Sequence, residues 1–387
     1  MSKITYIDEV EIVNKRVLLR VDFNVSLNPN ASIADDARIR QSLPTIQHLL
    51  KNGNTLILIS HLGRPKGIDK KYSLKPVAER LQTYIQGYRV ELVEDIDNPS
   101  FDRDKTIYIL ENIRFFPKEK DFSTLFAKKL SSFAEVYVND AFGVCHRSDT
   151  SVVGPPKFLP SYGGLLLKKE VEMIKEISKN PKKPVVAIIG GAKVSTKVGV
   201  LNSLIKLADY VLIGGGLANT FINAQGQEVG LSFCEYEAVQ NARNILALSK
   251  GGRAVIELPV DAIVADQYKR GNETLKIDEI PQDKQILDIG PETQACFGNH
   301  IANAATIIWN GPVGYFEDPL FRNGTDFIYY AITQNNKATS VVGGGDTLAA
   351  ISKKEYLDKI THISTGGGAM LEFIEKGSLP GIDALKK

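Results

Sequence analysis

The chain has 387 residues, 43% of them hydrophobic, and its 47 Lys+Arg against 45 Asp+Glu leave a formal net charge of +2. That composition excludes a disordered chain, and at about 150 residues per domain the length suggests two or three domains. Near-neutrality argues against a dedicated nucleic-acid binder, so any anion site has to come from local clustering of basic residues. Glycine is uneven, with 8 of the 32 in residues 1–180 and 24 in residues 181–387, so the halves are built for different jobs. Cys145, Cys234 and Cys296 are odd in number, far apart and without Cys-x-x-Cys spacing, which excludes a disulfide framework and a structural zinc motif and fits a reducing cytosol. The charged opening MSKITYIDEV has no apolar signal core and no apolar run is long enough to span a bilayer, so a cytoplasmic protein with no membrane partner is expected.

In chain order, short β-rich apolar runs at 16–21, 55–60, 90–93, 106–110 and 135–138 alternate with stretches at 38–53, 74–86 and 124–134 whose apolar residues recur at i, i+3 and i+4. A long charged helix is predicted at 165–180, closed by Pro181. Strands follow at 184–189, 210–213, 254–258, 285–289, 305–309, 339–342 and 361–364, again separated by helices. Continuous apolar strands alternating with helices predict parallel sheets covered on both faces. The expected fold is α/β: two Rossmann-like three-layer lobes with parallel sheets, 1–168 and 183–374, joined by a connector helix at 165–182. Ligands of such sheets bind at the carboxyl ends of the strands, here expected at the waist between the lobes.

The residues after the first-lobe strands are Asp22-Phe23-Asn24, Ser60-His61-Leu62-Gly63-Arg64, Glu111-Asn112-Ile113-Arg114 and, beyond Asn139-Asp140, His146-Arg147; Arg38 heads the first helix. Arg38, His61, Arg64, Arg114 and Arg147 thus come from five connections on one sheet edge of a nearly neutral chain. One such arginine is ordinarily paired with a surface carboxylate. Five at equivalent positions predict a cradle for a small polyanion, since the guanidinium fork suits phosphate and carboxylate. Asp22 and Asn24 are expected to accept hydrogen bonds from substrate hydroxyls, and His61 to contact an anion rather than move a proton.

The second lobe places glycine clusters after its strands: 190–191, 214–216, 311–314 with Pro312, 343–345 and 366–368. Together they predict a nucleotide site in which backbone N–H groups and helix N-termini approach phosphate. Lys193 and Lys197, at i and i+4, are expected on one face of a helix starting near Val194. Asp346-Thr347 offers a carboxylate and a hydroxyl suited to Mg²⁺ shared with phosphates. Neither Gly-x-x-x-x-Gly-Lys-Ser/Thr nor Gly-x-Gly-x-x-Gly occurs, which excludes a P-loop and speaks against an NAD-dependent dehydrogenase. His146-Arg147-Ser148-Asp149 and Asp22-Phe23-Asn24 are not the protein-kinase motifs. A mononucleotide lobe facing a polyanion lobe is the layout of a small-molecule phosphotransferase.

Nine segments in order, RVLLRVDFNV, SHLGRP, LENIRFFP, VNDAFGVCHR, IIGGAKVSTK, LIGGGLANTF, WNGPVGYFE, VGGGDT and STGGGA, give the chain a close resemblance to the phosphoglycerate kinase family over essentially its whole length. The resemblance implies a monomeric, two-lobed cytosolic enzyme that moves a phosphoryl group between 1,3-bisphosphoglycerate and Mg·ADP, giving 3-phosphoglycerate and Mg·ATP, with closure of the lobes. By matching motif, Asp22, Phe23, Asn24, Arg38, His61, Leu62, Gly63, Arg64, Arg114 and Arg147 are the implied triose-binding residues. Lys197, Gly214, Gly215, Pro312, Glu317, Gly344, Gly345, Asp346 and Thr347 are the implied nucleotide residues, with Asp346 on the metal. Arg38, Lys193 and Lys197 are implied to stabilise the phosphoryl group in flight, and the tail at 375–387 to pack back on the first lobe. Asp149 and Cys145 depart from the family pattern, which often has His and a small residue there, and the first of these bears on the charge around Arg147. The alternative is a non-enzymatic nucleotide and sugar-phosphate sensor on the same scaffold.

Overall fold

Seventeen strands form among the described residues, which are 3–351 and 354–386 of the computed structural model. In chain order they are β1 Arg16–Arg20, β2 Ser26–Leu27, β3 Ile33–Asp35, β4 Thr55–Ile59, β5 Arg89–Val93, β6 Thr106–Leu110, β7 Val136–Asn139, β8 Ser161–Gly163 and β9 Val185–Ile189. They continue as β10 Tyr210–Ile213, β11 Val255–Glu257, β12 Asp261–Ala265, β13 Glu273–Lys276, β14 Gln285–Ile289, β15 Thr306–Asn310, β16 Thr339–Gly343 and β17 His362–Ser364. The chain divides into two units, one running up to Glu172 and taking in the residues from Ser378 onward, the other Met173–Gly377. The boundary falls inside the helix Leu165–Lys179.

The sheet of the first unit has the order β5-β6-β4-β1-β7-β8, parallel throughout. Its strands are apolar on both faces because both are covered. Val17, Leu19, Leu56, Leu58, Ile107 and Val138 pack with Ile46, Leu49, Val77 and Leu81 of the helices Ala37–Lys51 and Lys75–Tyr84. On the opposite face the Tyr137 hydroxyl donates to the Ser151 carbonyl at 2.8 Å, within the helix Thr150–Val153. The C-terminal turn Pro380–Asp383 belongs to this unit: Gly381 N donates to the Cys145 carbonyl at 2.8 Å, and a Cβ on Gly381 would stand 2.7 Å from Val152. Residues 375–377 stay with the second unit, where 375 and 376 end the helix Gly367–Lys376.

The second unit carries a parallel sheet of order β11-β10-β9-β15-β16-β17. With the first unit's sheet, it gives the two parallel-sheet α/β units expected from the strand pattern. The run 285–289 is a strand but not a member of the parallel sheet. As β14 it pairs antiparallel with β12, which pairs antiparallel with β13. The turn between β12 and β13 is built by Asp266, whose carboxylate accepts from Tyr268 N and Arg270 N at 2.8 Å each. The sequence pattern passed over this hairpin because ETLK of β13 is short and polar.

Candidate functional site

At the carboxyl end of β1, the buried carboxylate of Asp22 is ion-paired with Arg38 and lies 3.8 Å from His61 Nδ1. Burial opposes ionisation of Asp22, but the guanidinium groups of Arg38 and Arg20 hold its pKa down at about 2. Burial, with Arg20, Arg114 and Arg38 outweighing the pull of Asp22, holds His61 well below the ordinary imidazole value. A neutral His61 contacts an anion as an N–H donor, not as a cation.

Asn24 and Arg114 both act on Gly63. Gly63 N donates to Asn24 Oδ1 at 2.8 Å, while the Gly63 carbonyl accepts from Arg114 Nη1 at 2.6 Å. The backbone there has φ +63°, and a Cβ would sit 2.3 Å from the Tyr72 ring, so only glycine fits. Arg114 is buried, yet its Nε and Nη2 have no hydrogen-bond partner. Burial and the neighbouring Arg147 lower its pKa to about 10. Buried unsatisfied donors on a cation are costly, and an incoming phosphate would complete both. Asp149 acts on Arg114 in the opposite sense, as a nearby negative charge.

Two residues of this unit were missed by the sequence pattern. Arg20 reads as part of an apolar strand, but it is fully buried, with Nε donating to Ser151 Oγ at 2.8 Å and Nη2 3.4 Å from His61 Nδ1. Ser151 Oγ in turn donates to the buried Glu119 at 2.6 Å. Asn112 clamps the loop, its Oδ1 accepting from Leu62 N and Arg114 N and its Nδ2 donating to the Leu62 and Tyr72 carbonyls. The remaining predicted residues of this unit differ in how they are placed. Phe23 and Leu62 point into the hydrophobic core, so only their backbone can face a ligand. Arg64 is exposed, whereas Arg147 is half-buried with Nε 3.3 Å from His146 Nε2.

In the second unit a cleft of about 410 Å³ is walled by Ala218, Phe233, Ile286, Leu287, Val313 and Tyr315 and edged by Gly215, Pro312, Glu317 and Asp346. Apolar walls with a few polar groups at the rim suit a planar base and its sugar. Lys269, also at the cleft, stands 3.6 Å from the centre of the Tyr315 ring. Lys197 Nζ donates to the Gly190 carbonyl at 2.8 Å and to Asn310 Oδ1 at 3.0 Å. Burial lowers its pKa to about 8 against the opposing influence of Asp346.

The helix that was expected near Val194 begins only at Val198, so Lys193 and Lys197 do not share a helix face. Ser195 is held instead by Glu235, which accepts from its backbone N at 2.9 Å and from its hydroxyl, and Lys197 N closes a turn onto the Val194 carbonyl. Lys193 is exposed. Several of the glycines have a packing role that the sequence pattern does not show. The N–H groups of Gly190, Gly191, Gly214, Gly215 and Gly311 are all donated within the unit, to Asn310, Pro312, Ile189, Val313 and Thr347. A Cβ on Gly190 would fall 2.0 Å from the Pro312 carbonyl oxygen, so this glycine lets two loops touch. Gly345, by contrast, has nothing within 4 Å of its Cβ position and opens the helix Gly345–Ala350. The Thr347 hydroxyl is buried, accepting from Gly311 N at 2.7 Å and donating to the Gly343 carbonyl at 2.9 Å, so it is not open to a metal. The Asp346 carboxylate is exposed.

A cradle of arginines around the buried Arg114 on one α/β unit and a base-sized cleft with a half-buried lysine on the other define a small-molecule phosphotransferase. The family model described as phosphoglycerate kinase matches residues 7–377, and the chain belongs to the phosphoglycerate kinase family. It is 46% identical over 401 residues to the phosphoglycerate kinase of Koribacter versatilis, covering 100% of this chain and 99% of that one. It is 45% identical over 396 residues to that of Dictyoglomus turgidum, covering 100% of each. The solved phosphoglycerate kinase of Coxiella burnetii superposes with a TM-score of 0.87 at 38% identity, covering 99% of both chains. Membership makes the chain a kinase of glycolysis, and the sensor reading finds no support. Among the described residues no helix is long and apolar enough to cross a membrane.

Proposed function

We propose that the chain catalyses reversible phosphoryl transfer between 1,3-bisphosphoglycerate and Mg·ADP, giving 3-phosphoglycerate and Mg·ATP, with residues 1–168 holding the triose and residues 183–374 the nucleotide. The observation that carries the triose assignment is Arg114, a buried guanidinium with two nitrogens lacking partners. In this reading Arg114, Arg64, Arg147 and neutral His61 take the triose phosphate, while Asp22 and Asn24 take hydroxyls. The cleft takes the base, Glu317 takes ribose hydroxyls, and Gly344, Gly345 and Thr347 meet phosphates through their backbone.

In the direction of ATP use the nucleophile is the carboxylate of 3-phosphoglycerate, ionised at neutral pH, so no side chain has to remove a proton. Its oxygen forms a bond to the γ-phosphorus as the bond to the ADP leaving oxygen breaks. The chain contributes positioning and positive charge: Arg38, oriented by Asp22, from the triose side, and Lys197 with Lys193 from the nucleotide side. The exposed carboxylate of Asp346 fits Mg²⁺, which commonly takes one or two carboxylates, waters and substrate phosphates. When bound there, the ion neutralises phosphate charge. Because the two ligands belong to different units, transfer requires closure that brings them together and excludes water.

The free thiols of Cys145, Cys234 and Cys296 suit a reducing cytoplasm, near-neutral charge suits a chain without a nucleic-acid or membrane partner, and the monomeric state follows the family resemblance. Calorimetric titration of 3-phosphoglycerate into Arg114→Ala tests the site. Loss of charge-assisted hydrogen bonds should weaken binding by roughly 10- to 100-fold, and unchanged affinity would overturn the assignment.

A further inference from the structure

Away from the cradle and the cleft, the described residues contain one group of three metal-ligating side chains, Glu257, Cys296 and His300, whose ligand atoms all lie within 4.8 Å of one another. Glu257 ends β11, the edge strand of the parallel sheet. Cys296 and His300 are four residues apart on the helix Pro291–Asn303, so they project from the same face. His300 Nε2 lies 3.4 Å from Glu257 Oε1. The imidazole ring packs on Tyr210 of β10 with centroids 4.0 Å apart, which fixes its plane. At the other end of the helix, the Asp261 carboxylate accepts from Glu292 N and Thr293 N at 2.9 and 2.8 Å. The helix therefore cannot roll its Cys296 and His300 face away from Glu257 without losing that cap.

We propose that Glu257 Oε1, Cys296 Sγ and His300 Nε2 bind a divalent transition-metal ion, Zn²⁺ by the chemistry of the donors, at a site separate from the phosphotransfer machinery. A Glu–His ion pair alone would account for the 3.4 Å contact, but not for a thiol within the same 4.8 Å. Zinc takes sulfur at about 2.3 Å and nitrogen or oxygen at about 2.0–2.2 Å, so the three ligand atoms would draw closer together on binding. Thiolate with imidazole selects zinc or cobalt over Mg²⁺ and Ca²⁺, which keeps the site from competing for the ion at Asp346. Binding forms a sulfur–metal bond and releases the thiol proton to solvent, His300 contributes a ring lone pair, and no electron is exchanged. Three protein ligands leave a fourth position for water. The bound ion would tie the helix Pro291–Asn303 to the sheet edge. Cysteine spacing does not reveal such a site, since Cys296 finds its partners on a helix turn and on a distant strand.

The test is a Co²⁺ titration of the reduced, chelator-treated full chain, followed by absorption. The expected result is a near-ultraviolet thiolate-to-cobalt band with tetrahedral visible bands, displaced by Zn²⁺ but not by excess Mg²⁺. Cys296→Ser should abolish the near-ultraviolet band, His300→Gln and Glu257→Gln should weaken binding at least tenfold, and Cys234→Ser should leave it unchanged. Retained phosphotransfer in each variant shows that it has folded, and Zn²⁺ should raise the thermal midpoint of the unsubstituted chain but not of Cys296→Ser. Absence of the band in the unsubstituted chain, its survival in Cys296→Ser or its loss in Cys234→Ser would overturn the proposal. Should Cys296→Ser fail to fold, the titrations of the unsubstituted chain and of His300→Gln decide.

Discussion

Lys197 and Asn310 join two loops of the second unit: the lysine Nζ donates to Asn310 Oδ1 at 3.0 Å, while Asn310 Nδ2 donates to the Gly343 carbonyl at 2.7 Å. The ammonium is thus held by neutral acceptors, leaving its charge for an incoming phosphate. Replacing it by Lys197→Ala should lower kcat by about 10²–10³, the usual cost of losing one positioned charge at the reacting group. Binding of 3-phosphoglycerate should be unaffected, since the triose residues lie on the other unit; steady-state kinetics and calorimetry separate the two effects.

The same lysine predicts a pH dependence. Its pKa is lowered to about 8 by burial, so the cationic form is lost as pH rises through that value. The kcat/KM for nucleotide, which reports the free enzyme, should fall above about pH 8. In Lys197→Arg the residual activity should lack this fall, because guanidinium stays charged.

Glu119 predicts an effect on stability. Burial raises its pKa to about 7, against Arg20 and its Ser151 hydrogen bonds. The folded state therefore holds this proton more tightly than the unfolded chain does. Its stabilising contribution is complete below the ordinary value of 4.5 and is lost as pH rises through about 7. Glu119→Gln removes the titration and can keep a hydrogen bond to Ser151. Urea midpoints of the unsubstituted chain should fall relative to those of the variant between pH 4.5 and 7.5, by up to roughly 3 kcal/mol in unfolding free energy.

Gly63→Ala tests the cradle without touching a charge. The φ of +63° and the 2.3 Å approach to Tyr72 force the loop to shift, and the Gly63 carbonyl anchors Arg114 Nη1. The variant should lose about 1–3 kcal/mol of stability and show a raised KM for 3-phosphoglycerate with little change in KM for nucleotide. Thermal unfolding and kinetics check both.

The two parallel sheets were legible because their strands are continuous apolar runs, His61 and Arg114 because each follows a strand, and Arg38 because it heads the first helix. The hairpin of β12 and β13 was not, since its turn depends on a single Asp266 side chain and β13 is polar. Arg20 was hidden because a buried arginine within a strand is recognisable only through its partners Ser151 and His61. The glycines mark loops that line the cleft, but several serve contact between loops, as Gly190 does with Pro312, and their N–H groups are already used. Lys193 was misplaced because the i, i+4 argument assumes a helix, and Glu235 holds that segment in a turn.

The most direct test is an assay of ATP-dependent acyl-phosphate formation from 3-phosphoglycerate, coupled to an NADH-linked dehydrogenase that consumes the product. The account predicts NADH oxidation that requires both substrates, stops with chelator, returns with Mg²⁺ and falls by about 10²–10³ in Arg38→Ala. Calorimetric binding of both ligands with no NADH oxidation would contradict it.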